Sequence, residues 1–233
     1  PPTFARYMLV PNLSSFTKQH PDIAIEIYLS VPLYDLSLSE SDIEVRFGPG
    51  RYPNLQCEKL FLEPTFAVAS PAYLEQVGGI REPGDLQKAT LIRSALEPWQ
   101  PWFEAAGLDW PEPTTGIRVD DLGLLQEMVR HGHGIGLARA HFARELIEAG
   151  ELVRLFDVQT GPPPHAYYAV YEKPVLERPE VAQFLQSVIV AINRRDHFGY
   201  RCHGACANLA QRIMFFVALL FFGEALLQRF HQL

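Results

Sequence analysis

The hydrophobic and polar positions between residues 122 and 156 predict four successive elements. Apolar residues at helical spacing predict an amphipathic helix over 122–130, and a short apolar strand over 135–138 follows a glycine-rich turn. A second helix over 139–149 ends at Gly150, which suits a left-handed cap, and a strand over 152–156 begins at once. This order is typical of an open α/β sheet. Ligands in such sheets lie at strand carboxyl ends and helix amino ends, so we expect this region to line a small-molecule pocket.

The turn holds three alternating glycines, Gly132, Gly134 and Gly136. A dinucleotide-binding fingerprint follows a strand and opens a helix, whereas these glycines follow a helix and open a strand. We therefore interpret them as a helix cap and tight turn. His131 and His133 have no Cys or carboxylate at metal-ligand spacing beside them, so they are interpreted as a solvated helix end.

The same patterning predicts elements along the rest of the chain. Thr3 is predicted to cap a first helix, with a kink or a second helix start expected at Pro11. Ser70 is predicted to cap a helix with Pro71 at its first position, and Asp120 is predicted to cap the helix at 122. The predicted helices cover 4–20, a segment from 71, 83–87, 98–106 and 177–195. The predicted strands cover 23–29, 42–47, 57–62, 65–70, 90–93, 116–119 and 165–172.

Composition then excludes several classes of protein. The chain has 233 residues, 48% of them hydrophobic, which suits a globular protein that buries one large or two small cores. The net charge of −7, with scattered Lys and Arg, argues against a nucleic-acid surface. Three cysteines are too few for a disulfide framework, so we expect a reducing compartment, the cytoplasm. The opening residues have neither the basic region nor the apolar run of a secretory signal, and we expect the sequence to be a fragment.

Seven short motifs occur in order along the chain: Phe4-Ala-Arg, Leu9-Val-Pro-Asn-Leu, His20-Pro-Asp-Ile, Ile43-Glu-Val-Arg-Phe-Gly, Ser70-Pro-Ala-Tyr-Leu, Asp120-Asp and Gly134-Ile-Gly-Leu-Ala-Arg. This ordered series resembles the effector-binding domain of LysR-type transcriptional regulators. Three further features resemble the glycine-cleavage-activator-like subgroup. These are the loop Arg46-Phe-Gly-Pro-Gly, the helix with Trp99 and Trp102, and the ending Ala138-Arg139. The resemblance covers Pro1 to about Arg195.

The resemblance implies an α/β fold like that of type 2 periplasmic binding proteins, with an effector in the cleft between two subdomains. Residues 1–68 and 164–195 are expected to form subdomain I and residues 69–163 subdomain II, with crossovers at 65–70 and 161–165. It further implies an N-terminal winged helix-turn-helix that binds promoter DNA, and assembly as a homodimer or homotetramer. We expect the dimer to join the first subdomain of one chain to the second of its neighbour.

The chain departs from the family pattern in three places. The DNA-binding domain and its linker helix are absent, so promoter DNA is an expected partner only through that domain. The strand that normally precedes Pro1 is absent as well, and residues 30–42 lack the family's short helix and its glycine.

The segment 196–233 does not fit the family at all. Ten consecutive apolar residues, 213–222, are too few to span a bilayer, and no membrane association of the domain is expected. A non-native extension, such as a shifted reading frame, and a dimer or membrane-surface helix both remain open. Cys202, His203 and Cys206 lack a fourth ligand for zinc.

Candidate ligand-binding residues follow from the expected cleft, where helix N-termini and short polar side chains suit small carboxylates and amides. Each also has a plain structural interpretation: a cap for Thr3, Ser70, Asp120 and Asp121, and core packing for Phe47. Arg139 opens a helix against its dipole, and this misfit favours it as the group that binds an effector carboxylate. We expect Arg139 to lie outside the core. The candidates are Thr3, Ser30, Phe47, Gly48, Ser70, Asp120, Asp121 and Arg139.

Catalysis, a cofactor and a metal site are not predicted. The sequence has no nucleophile elbow, zinc-protease motif or phosphate loop, and its carboxylates are dispersed. We therefore predict an effector-sensing regulatory domain that binds a small anionic metabolite. A solute-binding protein of a transport system shares the fold and is the alternative, and an enzyme on this fold is a third class.

Overall fold

The computed structural model describes residues 1–29, 41–160 and 165–196, with side chains to 193. Contacts between Cα atoms divide the chain into Pro1–Asn193 and Arg194–Leu233, and the description below concerns the first unit. Several predictions lie outside the described residues: the candidate Ser30, the segment 31–40 that departs from the family pattern, the crossover at 161–164, the apolar run 213–222, and Cys202, His203 and Cys206. Within the described ranges no helix is long and apolar enough to cross a membrane.

The chain opens with a long helical segment that contains a π-helical turn. α1 (Pro2–Phe4), the π-turn (Ala5–Leu9) and α2 (Val10–Gln19) follow one another directly. Pro11 has no N–H to donate to the carbonyl four residues earlier, and the π-turn ends just before this break in the ladder. Of the two outcomes predicted at Pro11, a kink or a second helix start, the structure shows the second, because α2 begins at Val10 with Pro11 in its first turn. The prediction that Thr3 is the N-cap is wrong, because Pro1 caps a helix that begins at Pro2.

The first sheet holds the strands β1 (Glu44–Gly48), β2 (Gln56–Phe61) and β6 (Ala166–Tyr171). β6 lies in the middle and pairs antiparallel with both neighbours. All three strands were predicted to within two residues. The predicted strand at 23–29 is wrong, because this stretch pairs with no strand among the described residues. A segment with this alternating pattern forms a strand only when a neighbouring strand satisfies its backbone N–H and C=O groups. Because 23–29 does not pair with β1, β1 remains an edge strand in the described part of the sheet.

The second sheet holds β3 (Thr65–Ala69), β4 (Gly136–Arg139) and β5 (Val153–Arg154) in the order β4-β3-β5, again antiparallel. Two isolated parallel bridges, Leu91 with Ile135 and Arg93 with Arg118, extend it. The strands predicted at 90–93 and 116–119 are reduced to these single bridges. β3 spans the predicted subdomain boundary at residue 68.

The helices pack on these sheets largely where the pattern placed them. They are α3 (Pro71–Val77), α4 (Gln100–Ala105), α5 (Leu122–Arg130), α6 (Ala140–Glu148) and α7 (Pro179–Asp196), with 3₁₀ turns at Pro83–Lys88 and Lys173–Glu177. Ser70 caps α3 by accepting the N–H of Tyr73, as predicted. The cap of α5 is Asp121, which accepts the N–H of Leu124 at 2.7 Å, so the prediction that Asp120 caps it is wrong.

The glycine-rich turn between α5 and β4 plays the structural role predicted for it. Gly132 and Gly134 have φ values of 77° and 154°, which side chains rarely adopt. A Cβ on Gly134 would lie 2.5 Å from the carbonyl oxygen of Thr90. The turn therefore lets β4 begin against the backbone of its neighbour.

The core of the second sheet consists mainly of aromatic residues. Trp99, Trp102 and Phe103 are fully buried and stack edge to face or in parallel, with ring centroids 5.5–6.1 Å apart. The Trp99 indole N–H donates to the carbonyl of Ile92 at 2.9 Å. Both tryptophans therefore pack the core of the second sheet. This packing fixes the segment 94–98, which leads into the candidate site.

Candidate functional site

The candidate site lies where the end of the second sheet meets aromatic side chains of the first. Arg139, the last residue of β4, extends its guanidinium over the ring of Phe47 on β1 at 4.0 Å and near the ring of Tyr167 on β6 at 5.4 Å. Cation–π contacts of this kind gain strength when they are desolvated. Arg139 thus connects the two sheets through side chains.

Arg139 is buried, and it already has an anionic partner. Its guanidinium forms a salt bridge with the carboxylate of Glu97, and the two residues are only 3% and 6% exposed. The guanidinium Nε has no hydrogen-bond partner. The expectation that Arg139 lies outside the core is therefore wrong. A residue that opens a helix as its N-cap can still be buried when a second element covers it.

A second acid–base pair lies beside the first. Glu63, between β2 and β3, accepts the backbone N–H of His141 at 3.1 Å and also bonds the Nδ1 of the same imidazole. His141 belongs to the first turn of α6 and stacks on Phe61 with centroids 4.6 Å apart. The carboxylate of Glu63 thus supplies the negative charge that a helix N-terminus favours. We call Glu63, Glu97, Arg139 and His141 the buried charge cluster.

The electrostatics of the cluster are dominated by loss of water. The pKa of Glu97 is raised to about 7, chiefly by burial; the charge of Arg139 opposes this rise, and the charge of Glu63 adds to it. Burial likewise raises the pKa of Tyr167. A carboxylate in this position carries a large desolvation cost, which its ion pair with Arg139 only partly offsets.

A small pocket of about 20 Å³ lies next to the rings that cover Arg139. Its walls include Thr3, Asp120, Asp121, Leu96, Phe47 and Tyr167. Thr3 donates its hydroxyl to Asp121 at 3.3 Å and accepts the N–H of Gly123 at 3.3 Å, which ties α1 to the start of α5. Asp120 pairs with Arg118 at 3.4 Å. The pocket is large enough for about one water molecule and too small for a metabolite in this arrangement.

A larger groove of about 440 Å³ lies on the other side of Phe47 and Leu96. Its walls are mostly apolar and come from the first helix, residues 25–29, β1 and α7. The charged and polar side chains among them include Glu26, Ser41, Glu44, Arg46 and His165. This volume is in the range of small-ligand sites. The segment around Leu96 therefore separates a pocket with polar groups from a groove large enough for a ligand.

The structure brings together most of the predicted site residues. Thr3, Phe47, Asp120 and Asp121 line the small pocket, Gly48 lines the groove beside Phe47, and Arg139 lies beneath the Phe47 ring. Ser70 is not among them. Thr65 pairs with Arg139, and Ser70 lies five residues further along the strand, roughly 17 Å away at the rise of a β-strand.

Sequence reasoning missed Glu63, Glu97 and His141. Glu63 and Glu97 each precede a proline, which confines the preceding residue to extended backbone, and each follows a hydrophobic residue. The sequence did contain one signal for these two buried carboxylates: each is an acidic residue that stands between a hydrophobic residue and a proline at the end of an element. Nothing in the pattern near His141 distinguishes it from an ordinary residue of an amphipathic helix.

The chemistry available at the site is recognition through hydrogen bonds and charge. No group of three or more metal-binding side chains occurs in the described residues. The donors and acceptors come from the start of α1, the end of β1, the segment 94–98, the start of α5 and the end of β4. A ligand that contacts several of them would therefore bias how these elements are arranged.

Comparison with known proteins gives a consistent result. The family described as LysR substrate binding domain matches residues 1–190. The chain is 32% identical over 203 residues to the glycine cleavage system transcriptional activator of Escherichia coli (strain K12), which covers 86% of this chain and 66% of that protein. It is 34% identical over 165 residues to the transcriptional activator AmpR of Pseudomonas aeruginosa, covering 68% and 54%. The chain thus spans less than two thirds of the length of these relatives.

Solved structures show the same likeness. The effector domain of the transcriptional regulator AmpR of Pseudomonas aeruginosa superimposes with a TM-score of 0.72 at 25% identity, covering 84% of this chain and 93% of that domain. The fold is therefore the α/β fold that was predicted.

Proposed function

The chain belongs to the LysR substrate-binding domain family, and on that basis we propose that it is the effector-sensing domain of a LysR-type transcriptional regulator. It binds a small metabolite between its two sheets and thereby alters transcription. The division into subdomains at residues 1–68 with 164–195, and 69–163, is part of this proposal. The similar proteins are named as transcriptional activators, which favours a regulator over a transport protein and over an enzyme.

The arrangement around Arg139 is the observation that carries the proposal. The guanidinium of Arg139, on the second sheet, stacks on the rings of Phe47 and Tyr167 from the first sheet. Residues from the start of the chain, the segment around Leu96 and the start of α5 line the pocket beside these rings. A ligand placed there changes the fit between the two sheets. Such differential contact is what a molecule needs in order to shift a conformational equilibrium.

The effector is, in this proposal, a small carboxylate. Arg139 offers planar donors that match a carboxylate, and Thr3 adds a hydroxyl on the wall of the small pocket. Phe47 supplies an apolar wall, and Asp120 and Asp121 accept from an amine or hydroxyl on the same ligand. Ser70 lies too far along β3 to share this site, and Gly48 lies beside the groove.

Promoter DNA, assembly and location follow from the family. We propose that DNA is contacted by a winged helix-turn-helix outside this sequence and that the regulator acts in the cytoplasm. We also propose a homodimer or homotetramer. Val10 on α2 and Leu124 on α5 are 56% and 50% exposed, and such apolar side chains are candidates for burial between copies of the chain.

Calorimetric titration with amino acids and small carboxylates tests the proposal. Thr3→Val is the site variant, and Thr17→Val, on an exposed face of the same helical segment, is its matched control. A hydrogen bond between the Thr3 hydroxyl and the ligand is worth about 1 kcal/mol. Its loss predicts roughly fivefold weaker ligand binding for Thr3→Val and no change for Thr17→Val. The same ligand should alter reporter transcription by the intact regulator. Absence of binding by every carboxylate, or binding without any transcriptional response, would refute the proposal.

The alternative is a free-standing solute-binding protein. The shared fold and the groove of about 440 Å³ are compatible with it. The coding sequence upstream of residue 1 discriminates between the two. A helix-turn-helix there supports the regulator, and a secretory signal supports transport.

A further inference from the structure

The guanidinium of Arg139 is the strongest candidate for an anion-binding group, and a carboxylate of the same chain already occupies it. Glu97 reaches it from the segment 94–98, and both residues are more than nine-tenths buried. The contact joins a loop to the junction of β4 and α6. It is therefore a contact that a change of loop position would break.

The loop that carries Glu97 is also the wall between the two cavities. Leu96 lines both the small pocket and the large groove, and Ala95 lines the groove. Ala95 and Pro98 are exposed, whereas Glu97 and Trp99 are buried. Trp99 is fixed in the aromatic core. Within the short stretch between Ser94 and Trp99, the N–H of Leu96 donates to the Ser94 hydroxyl at 3.1 Å, and the Glu97 side chain pairs with Arg139.

Outward movement of this stretch would have two consequences at once. It would withdraw the Glu97 carboxylate from Arg139, and it would remove Leu96 from the wall between pocket and groove. A buried guanidinium without a counter-ion is strongly unfavourable, so a free carboxylate that enters the opened space takes over the ion pair with Arg139. When Glu97 is ionised, one carboxylate replaces another and the net charge beside Arg139 does not change.

We propose that Glu97 is an internal ligand of Arg139, which holds the site closed until the carboxylate of a small effector displaces it. The inference rests on the proposed function, because it names the contact that the effector replaces. In this proposal the segment 94–98 is the gate, because its outward movement opens the site. The contact of Glu97 with Arg139 is the latch, because it holds the segment in the closed position. The effector class is a small molecule with an unhindered carboxylate.

Chemical rescue tests the contact without knowledge of the effector. Glu97→Ala removes a group equivalent to acetate, so sodium acetate is the probe, and acetamide and sodium chloride at equal concentration are the controls. Acetate is expected to raise the melting temperature of Glu97→Ala well above the effect of either control. Glu151→Ala removes the partner of Arg130 in an exposed pair, and acetate should not rescue it. A Glu97→Ala, Arg139→Met double variant should lose the response.

Equal responses to acetate and chloride, or an unchanged response in the double variant, would overturn the inference. Glu97→Gln keeps the side-chain volume and provides the test if the alanine variant does not fold. It should bind carboxylates from the titration panel roughly tenfold more tightly than the wild type, because the charged competitor is removed. Wild-type affinity in Glu97→Gln for an effector that binds the wild type would reject the latch and leave the proposed function standing. If acetate stabilises Glu97→Ala but no carboxylate in the titration panel binds the wild type, the result would count against the proposed function alone.

Discussion

Replacing Glu97 by glutamine should change how the stability of the domain depends on pH. The pKa of Glu97 is raised from an ordinary value of 4.5 to about 7, mainly by burial. Between these values the folded protein holds a proton that the unfolded chain has released. Stability must therefore fall as pH rises from about 4.5 to 7.

The size of the effect follows from the shift itself. A displacement of the Glu97 pKa from 4.5 to about 7, at 1.36 kcal/mol for each tenfold change in proton affinity, corresponds to a loss of roughly 3 kcal/mol across the window. Glutamine does not titrate, so Glu97→Gln should lack this part of the decline. Below pH 4.5 the wild type, with a neutral carboxyl group, and the variant should have similar stabilities. Near pH 8 the variant should be the more stable of the two.

Urea denaturation at intervals from pH 4.5 to 8 measures the effect as a difference between the two proteins. Titrations of groups away from the site cancel in that difference. The charged groups that face Glu97 are Arg139 and Glu63, and neither is altered in the variant. Parallel curves of unfolding free energy against pH would refute the argument, and so would a variant that is less stable than the wild type at pH 8.

Three further predictions concern local structure and are checked by the same denaturation assay. Gly134→Ala should cost more than about 2 kcal/mol, because a Cβ there lies 2.5 Å from a backbone oxygen, whereas Gly150→Ala, with φ of 72° and open space, should cost about 1 kcal/mol. Asp121→Ala should cost about 1–2 kcal/mol through loss of the α5 cap, and Asp120→Ala should cost less than about 0.5 kcal/mol. Trp99→Phe should cost at least about 1 kcal/mol, since it leaves a buried carbonyl without its donor. Equal costs within either matched pair, or a neutral Trp99→Phe, would contradict the corresponding contact.

Local pattern was sufficient to predict most of the elements of the described fold. The helices at 71, 122 and 140, the Ser70 cap and the glycine-rich turn depend on interactions within a few residues, so their signals lie close together in the sequence. The strand predicted at 23–29 failed because a strand needs a partner. Whether a partner is present is decided far away in the chain.

Helix caps mark the limit of local reasoning. Thr3 has the right residue type for a cap, but Pro2 already starts the helix, and the hydroxyl of Thr3 instead bonds groups of Asp121 and Gly123. The sequence separation is 118–120 residues. No window of local sequence contains both partners of such a contact.

The sequence by itself determined the family, the class of fold and the positions of several pocket residues, because these depend on residue order and short-range periodicity. Only the tertiary structure decided the state of Arg139. The rings of Phe47 and Tyr167 that cover it come from β1 and β6, and its carboxylate partner Glu97 comes from the segment before Trp99. These elements approach one another, and bury Arg139, only when the two sheets pack. The free energy of a buried charge depends on everything within a few ångströms, and sequence spacing does not encode that distance.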